Sequence, residues 1–178
     1  MRIISGAYKG KNIVPPKTFK ARPTTDFAKE SLFNIISNNF NYTEIAILDL
    51  FAGTGSISYE FASRGCKSIT TVELDYKNFS FINQTIEKLN FTHINVLKVD
   101  AFKILKSITE KFDIIFADPP YTLDDIDSLP DIVFNKELLV KNGWFILEHS
   151  KDYNFSAHQY FIEIRKYGSV NFSIFSKK

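Results

Sequence analysis

The sequence predicts an α/β fold built on a doubly wound, mainly parallel sheet that closes with an antiparallel hairpin. Two observations carry this. From residue 45 onward, short apolar runs rich in β-branched residues alternate with stretches whose apolar residues recur at helical spacing. That is the rhythm of parallel strands joined by crossover helices, with both sheet faces covered. The last two apolar runs, Tyr160–Arg165 and Ser169–Phe175, are separated only by Lys166-Tyr-Gly168, which leaves room for a turn and none for a helix.

The elements follow in order along the chain. Residues 2–14 read as a short strand or hairpin, with Gly6 and Gly10 marking turns. Val14-Pro15-Pro16-Lys17 is extended, because the residue before a proline is kept out of the helical region. Thr24, Thr25 or Asp26 caps a helix that runs to about Ser37, with Ala28, Leu32, Ile35 and Ile36 on its buried face. Ile45–Phe51 is a buried strand, followed by a glycine-rich turn and a helix through Arg64. Ser68–Leu74 is the second strand. The next helix carries Phe79, Ile82, Ile86 and Leu89 on one stripe, with Asp75 near its start. Ile94–Val99 makes the third strand, Ala101–Thr109 a short helix, and Phe112–Ala117 the fourth strand. A helix over roughly 128–140 leads into Trp144–Glu148.

No repeat, low-complexity tract or linker interrupts this order, so the 178 residues are expected to form one domain. Within it, residues 1–40 make a basic arm and helix, and residues 45–178 the core. A hydrophobic content of 44% supplies a core and excludes a disordered chain. The formal net charge of +2 excludes any argument from global charge. Its distribution is more informative. Residues 1–30 hold Arg2, Lys9, Lys11, Lys17, Lys20, Arg22 and Lys29 against only Asp26 and Glu30, a footprint for phosphates or simply a solvated segment. The single cysteine, Cys66, excludes an intramolecular disulfide and suits a reducing compartment. The start of the chain has too short an apolar run for a signal peptide, and no later run reaches the length of a membrane span. A soluble cytoplasmic protein is expected.

The chemically unusual residues fall at strand ends, where open α/β sheets bind ligands. Asp49-Leu-Phe-Ala-Gly53-Thr-Gly55 leaves the first strand of the core, and its glycines permit close approach of backbone to a ligand. Glu73 ends the second strand, about where an acid meets ribose hydroxyls in nucleotide-binding sheets. Asp100 ends the third, in reach of an adenine amine. A Gly-x-Gly turn alone fits nicotinamide, flavin or methyl-donor cofactors. Ser58 stands where the dinucleotide pattern needs its third glycine, and S-adenosylmethionine, which has no pyrophosphate, does not require one.

The sharpest signal is Asp118-Pro119-Pro120-Tyr121. Proline cannot extend a sheet ladder, so two in succession fix the chain as it leaves the fourth strand. Such a turn aims the Asp118 carboxylate and the Pro119 carbonyl at one point, where both accept from the two N–H groups of an exocyclic amine. Positioned acceptors of this kind free the nitrogen lone pair for methyl transfer by preorganisation, without a covalent intermediate. Tyr121 offers a face on which the target base stacks.

At these residues the chain resembles the nucleic-acid amino-methyltransferases, with their Rossmann-like class I S-adenosylmethionine-dependent fold. Two further stretches narrow the resemblance. Arg2-Ile-Ile-Ser-Gly-Ala-Tyr-Lys-Gly-Lys11, and Arg22-Pro-Thr-Thr-Asp26 with Lys29-Glu-Ser-Leu-Phe-Asn34, are similar to the N-terminal signature of the RsmD-type family, whose members methylate the N2 of one guanine in bacterial 16S rRNA. Ser63-Arg-Gly65, Val72-Glu73, Glu148 and Tyr167-Gly168 extend the likeness nearly end to end. The run after the glycine turn departs from it: Ser56-Ile-Ser-Tyr-Glu60 stands where members often carry an Ala-Leu-Gly-Leu-Glu-like run.

The resemblance implies that Asp49, Phe51, Gly53, Gly55, Glu73, Leu74, Asp100, Ala101 and Asp118 hold S-adenosylmethionine, with Arg22 and Thr24 at the mouth. It implies that Asp118 through Tyr121 hold the guanine amine, and that Arg2, Lys9, Lys11 and Arg22 meet rRNA, within an assembled or assembling small subunit. A monomer is expected. The rival readings are an adenine-N6 methyltransferase of DNA, a non-catalytic RNA-binding module with the same fold, and a nicotinamide oxidoreductase. His93, His149 and His158 show no ligand spacing, so no metal site is expected. Glu148-His149 ends the fifth strand in a packing or hydrogen-bonding role.

Overall fold

The computed structural model describes residues 1–15, 19, 25–120 and 122–177. A seven-stranded sheet of order β3-β2-β1-β4-β5-β7-β6 organises them. Its strands are β1 (Ala46–Asp49), β2 (Ser68–Val72), β3 (Ile94–Leu97), β4 (Phe112–Ala117), β5 (Leu139–His149), β6 (Phe161–Tyr167) and β7 (Val170–Phe175). Only β7 runs against its neighbours, pairing antiparallel with both β5 and β6. The first five strands are parallel, as the alternating pattern predicts. The strand order turns between β1 and β4, so the topological switch point lies where Asp49 and Asp118 leave the sheet.

Among the described residues, five α-helices cover the sheet. On one face α1 (Asp26–Ser37), α2 (Ser56–Ser63) and α3 (Tyr76–Lys88) pack on Ile47, Ile69, Ile114, Phe116, Ile146 and Ile174. On the other, α4 (Ala101–Ser107) and α5 (Leu129–Asn135) pack on Leu48, Ile115, Phe145, Leu147 and Phe175. Local chemistry sets the starts. Thr25 caps α1 through the Ala28 amide, Asp75 caps α3 through the amides of Lys77 and Asn78, and Asp100 caps α4 through the Lys103 amide. Phe33 takes the buried place on α1 expected for Ile35, and Lys29 is buried beside it. Cys66 packs in the core, where burial pushes its thiol up to about 12.

The segment after β4 departs from expectation. In place of one helix over 128–140 there is a 3-10 turn (Ile126–Ser128), a seven-residue α5, and a strand that begins at Leu139, five residues before Trp144. The helix stops because Glu137 adopts φ +51° and the Leu138 carbonyl turns to accept from the Phe112 amide at 2.9 Å. The chain enters β5 there, and Asn142 at φ +62° accompanies the register shift between Phe112 and Ile114.

Residues 1–13 form the predicted hairpin, with an Arg2–Asn12 bridge and bonds linking Ile3 with Lys11 and Met1 with Ile13. It is clamped to α2. The Ala7 amide donates to the Ser63 carbonyl, the Tyr8 amide donates to Ser63 Oγ, and that hydroxyl donates to the Ser5 carbonyl. The approach is so close that a Cβ on Gly6 would stand 1.9 Å from the Ser63 carbonyl oxygen.

Candidate active site

Asp49 is 1% exposed at the end of β1. Its Oδ2 accepts from Ser58 Oγ at 2.7 Å, and Ser58 pairs in turn with Thr71 Oγ1 at 2.8 Å. Its Oδ1 has no hydrogen-bond partner among the described residues. Burial pushes Asp49 up to about 7, Ser58 draws it down, and the charge of Glu73 raises it. An orphaned, dehydrated carboxylate oxygen beside a glycine turn fits a cationic or N–H-bearing ligand.

The turn's two glycines have different reasons. Gly53 adopts φ +56°, and an added Cβ would meet only the Phe19 ring, at 3.5 Å. Gly55 caps α2 at φ +83°, where a Cβ would lie 2.6 Å from the Tyr59 ring. Gly55 is thus favoured by packing within the protein as well as by its left-handed backbone. Phe51 is half-buried in the same turn. Phe19 is a site neighbour that no sequence pattern singles out.

Glu73 follows β2, and its Oε1 accepts from the Asp75 amide at 2.7 Å. Burial raises its pKa, while the amides of Asp75, Gly53 and Leu74 lower it. The carboxylate is therefore held in place by backbone next to the glycine turn, and Leu74 beside it is 61% exposed. Asp100 uses Oδ1 as the α4 cap. Ala101 is buried, and its side chain packs in the core.

On the acceptor side, β4 and β5 pair with Ala117 opposite Leu147, so Asp118 and Glu148 follow as neighbours at the ends of adjacent strands. Burial first, then the charges of Glu148 and Asp49, hold Asp118 well above the usual carboxylate range. Pro119 is buried, and the Pro120 carbonyl accepts from the Leu123 amide at 2.9 Å, closing the turn. His149 has both ring nitrogens engaged, Nδ1 with the Ser150 carbonyl and Nε2 with Ser173 Oγ, each at 2.7 Å. Burial lowers its pKa. It is a buried structural imidazole, as expected.

Arg22, Thr24 and Tyr121 lie outside the described residues. Lys9 and Lys11 are exposed on the hairpin, while Arg2 is half-exposed and paired with Asp26 at 3.2 Å. Lys29, which the sequence groups with the basic arm, is 1% exposed and unavailable to a phosphate. Its Nζ donates to the Arg2 carbonyl at 2.7 Å and lies 3.9 Å from Glu60. Among the described residues there is no cluster suited to a metal ion and no helix long and apolar enough to cross a membrane. A cavity of about 260 Å³ bordered by Lys111, Phe134, Lys141 and Lys177 sits at the opposite end of the sheet, far from these acids.

A sheet of this order with β7 alone reversed, carrying a glycine turn after β1 and acids at successive strand ends, is the class I S-adenosylmethionine-dependent methyltransferase fold. Residues 1–176 match the family described as Conserved hypothetical protein 95. The chain belongs to this family, the RsmD family of the resemblance. A relative from Buchnera aphidicola (subspecies Baizongia pistaciae), named ribosomal RNA small subunit methyltransferase D, is 35% identical over 81% of this chain and 70% of its own length. Its Escherichia coli K12 namesake is 28% identical over 81% and 69%. Among solved structures, a hypothetical protein of Thermus thermophilus superposes with a TM-score of 0.87 at 24% identity over 99% of each chain. The T. thermophilus 16S rRNA N2 G1207 methyltransferase, in complex with AdoMet and guanosine, superposes with 0.69 at 20% identity over 91% of this chain and 45% of that one.

Proposed function

We propose that this protein transfers the methyl group of S-adenosylmethionine to the exocyclic N2 amine of one guanine in the 16S RNA of the small ribosomal subunit. The observation that carries the reading is Asp118, lifted in pKa at the switch point and followed by two prolines, beside the orphaned oxygen of Asp49. Support for the acceptor comes from relatives named ribosomal RNA small subunit methyltransferase D. The guanosine bound by the T. thermophilus enzyme supports the choice of base.

In this reading Asp49, Phe51, Gly53, Gly55, Glu73, Leu74, Asp100 and Ala101 hold the cofactor, with Asp118 beside it and Arg22 and Thr24 at its mouth. The bound cofactor supplies an electrophilic methyl group on a sulfonium. Asp118 and the Pro119 carbonyl accept the two N–H groups of the amine, and Tyr121 stacks on the guanine. As the nitrogen gains its new bond to carbon it becomes cationic and must shed a proton. A carboxylate held above the usual range is a suitable acceptor for that proton. Lys9, Lys11 and Arg2 face RNA phosphates. The protein acts as a cytoplasmic monomer without a metal.

The test is methyl transfer from labelled S-adenosylmethionine to unmodified small subunits, protein-free rRNA and duplex DNA, with the methylated nucleoside identified by mass. N2-methylguanosine from either RNA acceptor is the expected product. N6-methyladenine from DNA would keep the chemistry and overturn the substrate.

A further inference from the structure

Phe27 stands in the first turn of α1 and is 69% exposed, so folding gives its ring little burial. It meets the half-buried Tyr167 edge-on, with ring centroids 5.9 Å apart, and Tyr167 rests on the core ring of Phe172 at 6.1 Å. The contact joins two segments far apart in sequence. Tyr167 ends β6, and the β6–β7 turn lies at the same end of the sheet as Asp118, because Asn171 pairs with His149, the last residue of β5. The alternation of β6 sets Arg165 on the face of Tyr167. Arg2 is brought near through its pair with Asp26, the residue before Phe27.

A single exposed apolar residue needs no explanation. A ring braced by a second aromatic and flanked by two arginines, at the end of the sheet that carries Asp118, has the parts of a single-strand nucleic-acid subsite. Both arginines sit in half-exposed ion pairs, Arg2–Asp26 at 3.2 Å and Arg165–Glu163 at 2.7 Å. Pairs of this kind are weak enough for a phosphate to displace the acid. β6 lies three strand spacings from β4, roughly 14 Å at about 4.8 Å each. Tyr167, which braces the ring, therefore lies well to the side of Asp118, so the ring is assigned to a neighbouring base rather than the methylated one.

We propose that Phe27, braced by Tyr167 and flanked by Arg2 and Arg165, is a stacking platform for an unpaired RNA base a few nucleotides from the one that is methylated. The inference rests on the RNA reading above and deepens it, since it locates recognition that Asp118 and its prolines do not provide.

The experiment compares Phe27→Ala, Phe27→Leu and Phe27→Trp with wild type. It measures binding to protein-free small-subunit rRNA, KM on whichever RNA acceptor is methylated, kcat, and S-adenosylmethionine affinity. Phe27→Ala and Phe27→Leu are expected to weaken RNA binding and raise KM about tenfold, within the range of base–aromatic stacking. kcat and cofactor affinity should stay within about twofold, and Phe27→Trp should match wild type. Ile162→Ala, an exposed apolar position on β6, the strand of Tyr167, is the control expected at wild-type values. Wild-type behaviour of Phe27→Ala overturns the platform, and wild-type behaviour of Phe27→Leu reduces it to an apolar contact. A defect confined to assembled subunits, with protein-free rRNA bound normally, gives the surface to a ribosomal protein and likewise overturns it. If wild type methylates no RNA at all, the underlying reading falls first, and that is visible before any variant is compared.

Discussion

The Ser58 hydroxyl donates to Asp49 at 2.7 Å, bridging the glycine turn between β1 and α2 and fixing one of its two carboxylate oxygens. Read as a sequence, Ser58 is only a missing glycine. Read as a structure, it orients the acid at the switch point and is itself held by Thr71. Ser58→Ala leaves the Asp49 carboxylate without this partner. The expected loss is about 1–3 kcal/mol of stability at pH 8, the usual cost of stranding a buried polar group. Urea unfolding measures it, and calorimetry should show S-adenosylmethionine bound about tenfold more weakly. Unchanged affinity would separate Asp49 from the cofactor.

Asp49 also sets a pH dependence. Its folded-state value of about 7 lies above the ordinary 3.8, so the native state keeps a proton that the unfolded chain has released. The associated stability is complete below about pH 4 and is lost as pH rises toward 7, because the unfolded state binds fewer protons across that window. Between pH 4 and pH 8 the cofactor-free protein should therefore lose up to about 4 kcal/mol relative to Asp49→Asn. Denaturation at stepped pH tests the difference. If the two proteins keep a constant separation, Asp49 is ionised throughout.

The strand–helix rhythm, the start of α1 within Thr24–Asp26, the start of α3 near Asp75 and the closing hairpin were legible because each is local. A period of apolar residues, or a side chain reaching an amide two or three residues on, is written within one window of sequence. The end of α5 was not legible. It depends on Glu137 taking left-handed backbone, and no glycine stands there to signal it. The strand-end acids could be found from spacing, yet Ser58 as the support of Asp49 and Phe19 beside Gly53 needed three dimensions. The burial of Lys29 was hidden for the same reason, since its partners come from the hairpin and from α2.

That burial belongs to a clamp centred on Glu60, which is fully buried. Glu60 accepts from the amides of Ile4 and Ser5 at 2.8 and 3.0 Å and from Arg64 at 2.9 and 3.0 Å, with Lys29 at 3.9 Å. The helix α2 thereby holds the basic hairpin against α1. Glu60→Ala strands Lys29 in the core and leaves both hairpin amides without their acceptor. A loss of about 3–5 kcal/mol is expected, the range for breaking a buried ion pair from one side. Hydrogen exchange should show protection lost first at Ile4 and Ser5, before the strands of the core open.

In the proposed function, Asp118 is the residue on which the chemistry turns. Asp118→Ala removes the acceptor for the amine and for its proton, and methyl transfer should fall by a factor of about 10²–10⁴ while cofactor affinity is retained. Equal loss of both would move Asp118 to the cofactor. Asp118→Asn keeps an acceptor oxygen but cannot take the proton, so it should fall between wild type and Ala. The pH profile adds a finer test. Burial and the neighbouring charge of Glu148 raise the pKa of Asp118, and the acid form cannot accept both hydrogens of the amine. Activity should therefore drop on the acid side as Asp118 takes up its proton. Glu148→Gln removes one of the charges opposing its ionisation, lowers its pKa, and should carry the acid limb of kcat to lower pH. A limb that stays in place would mean that another group controls it.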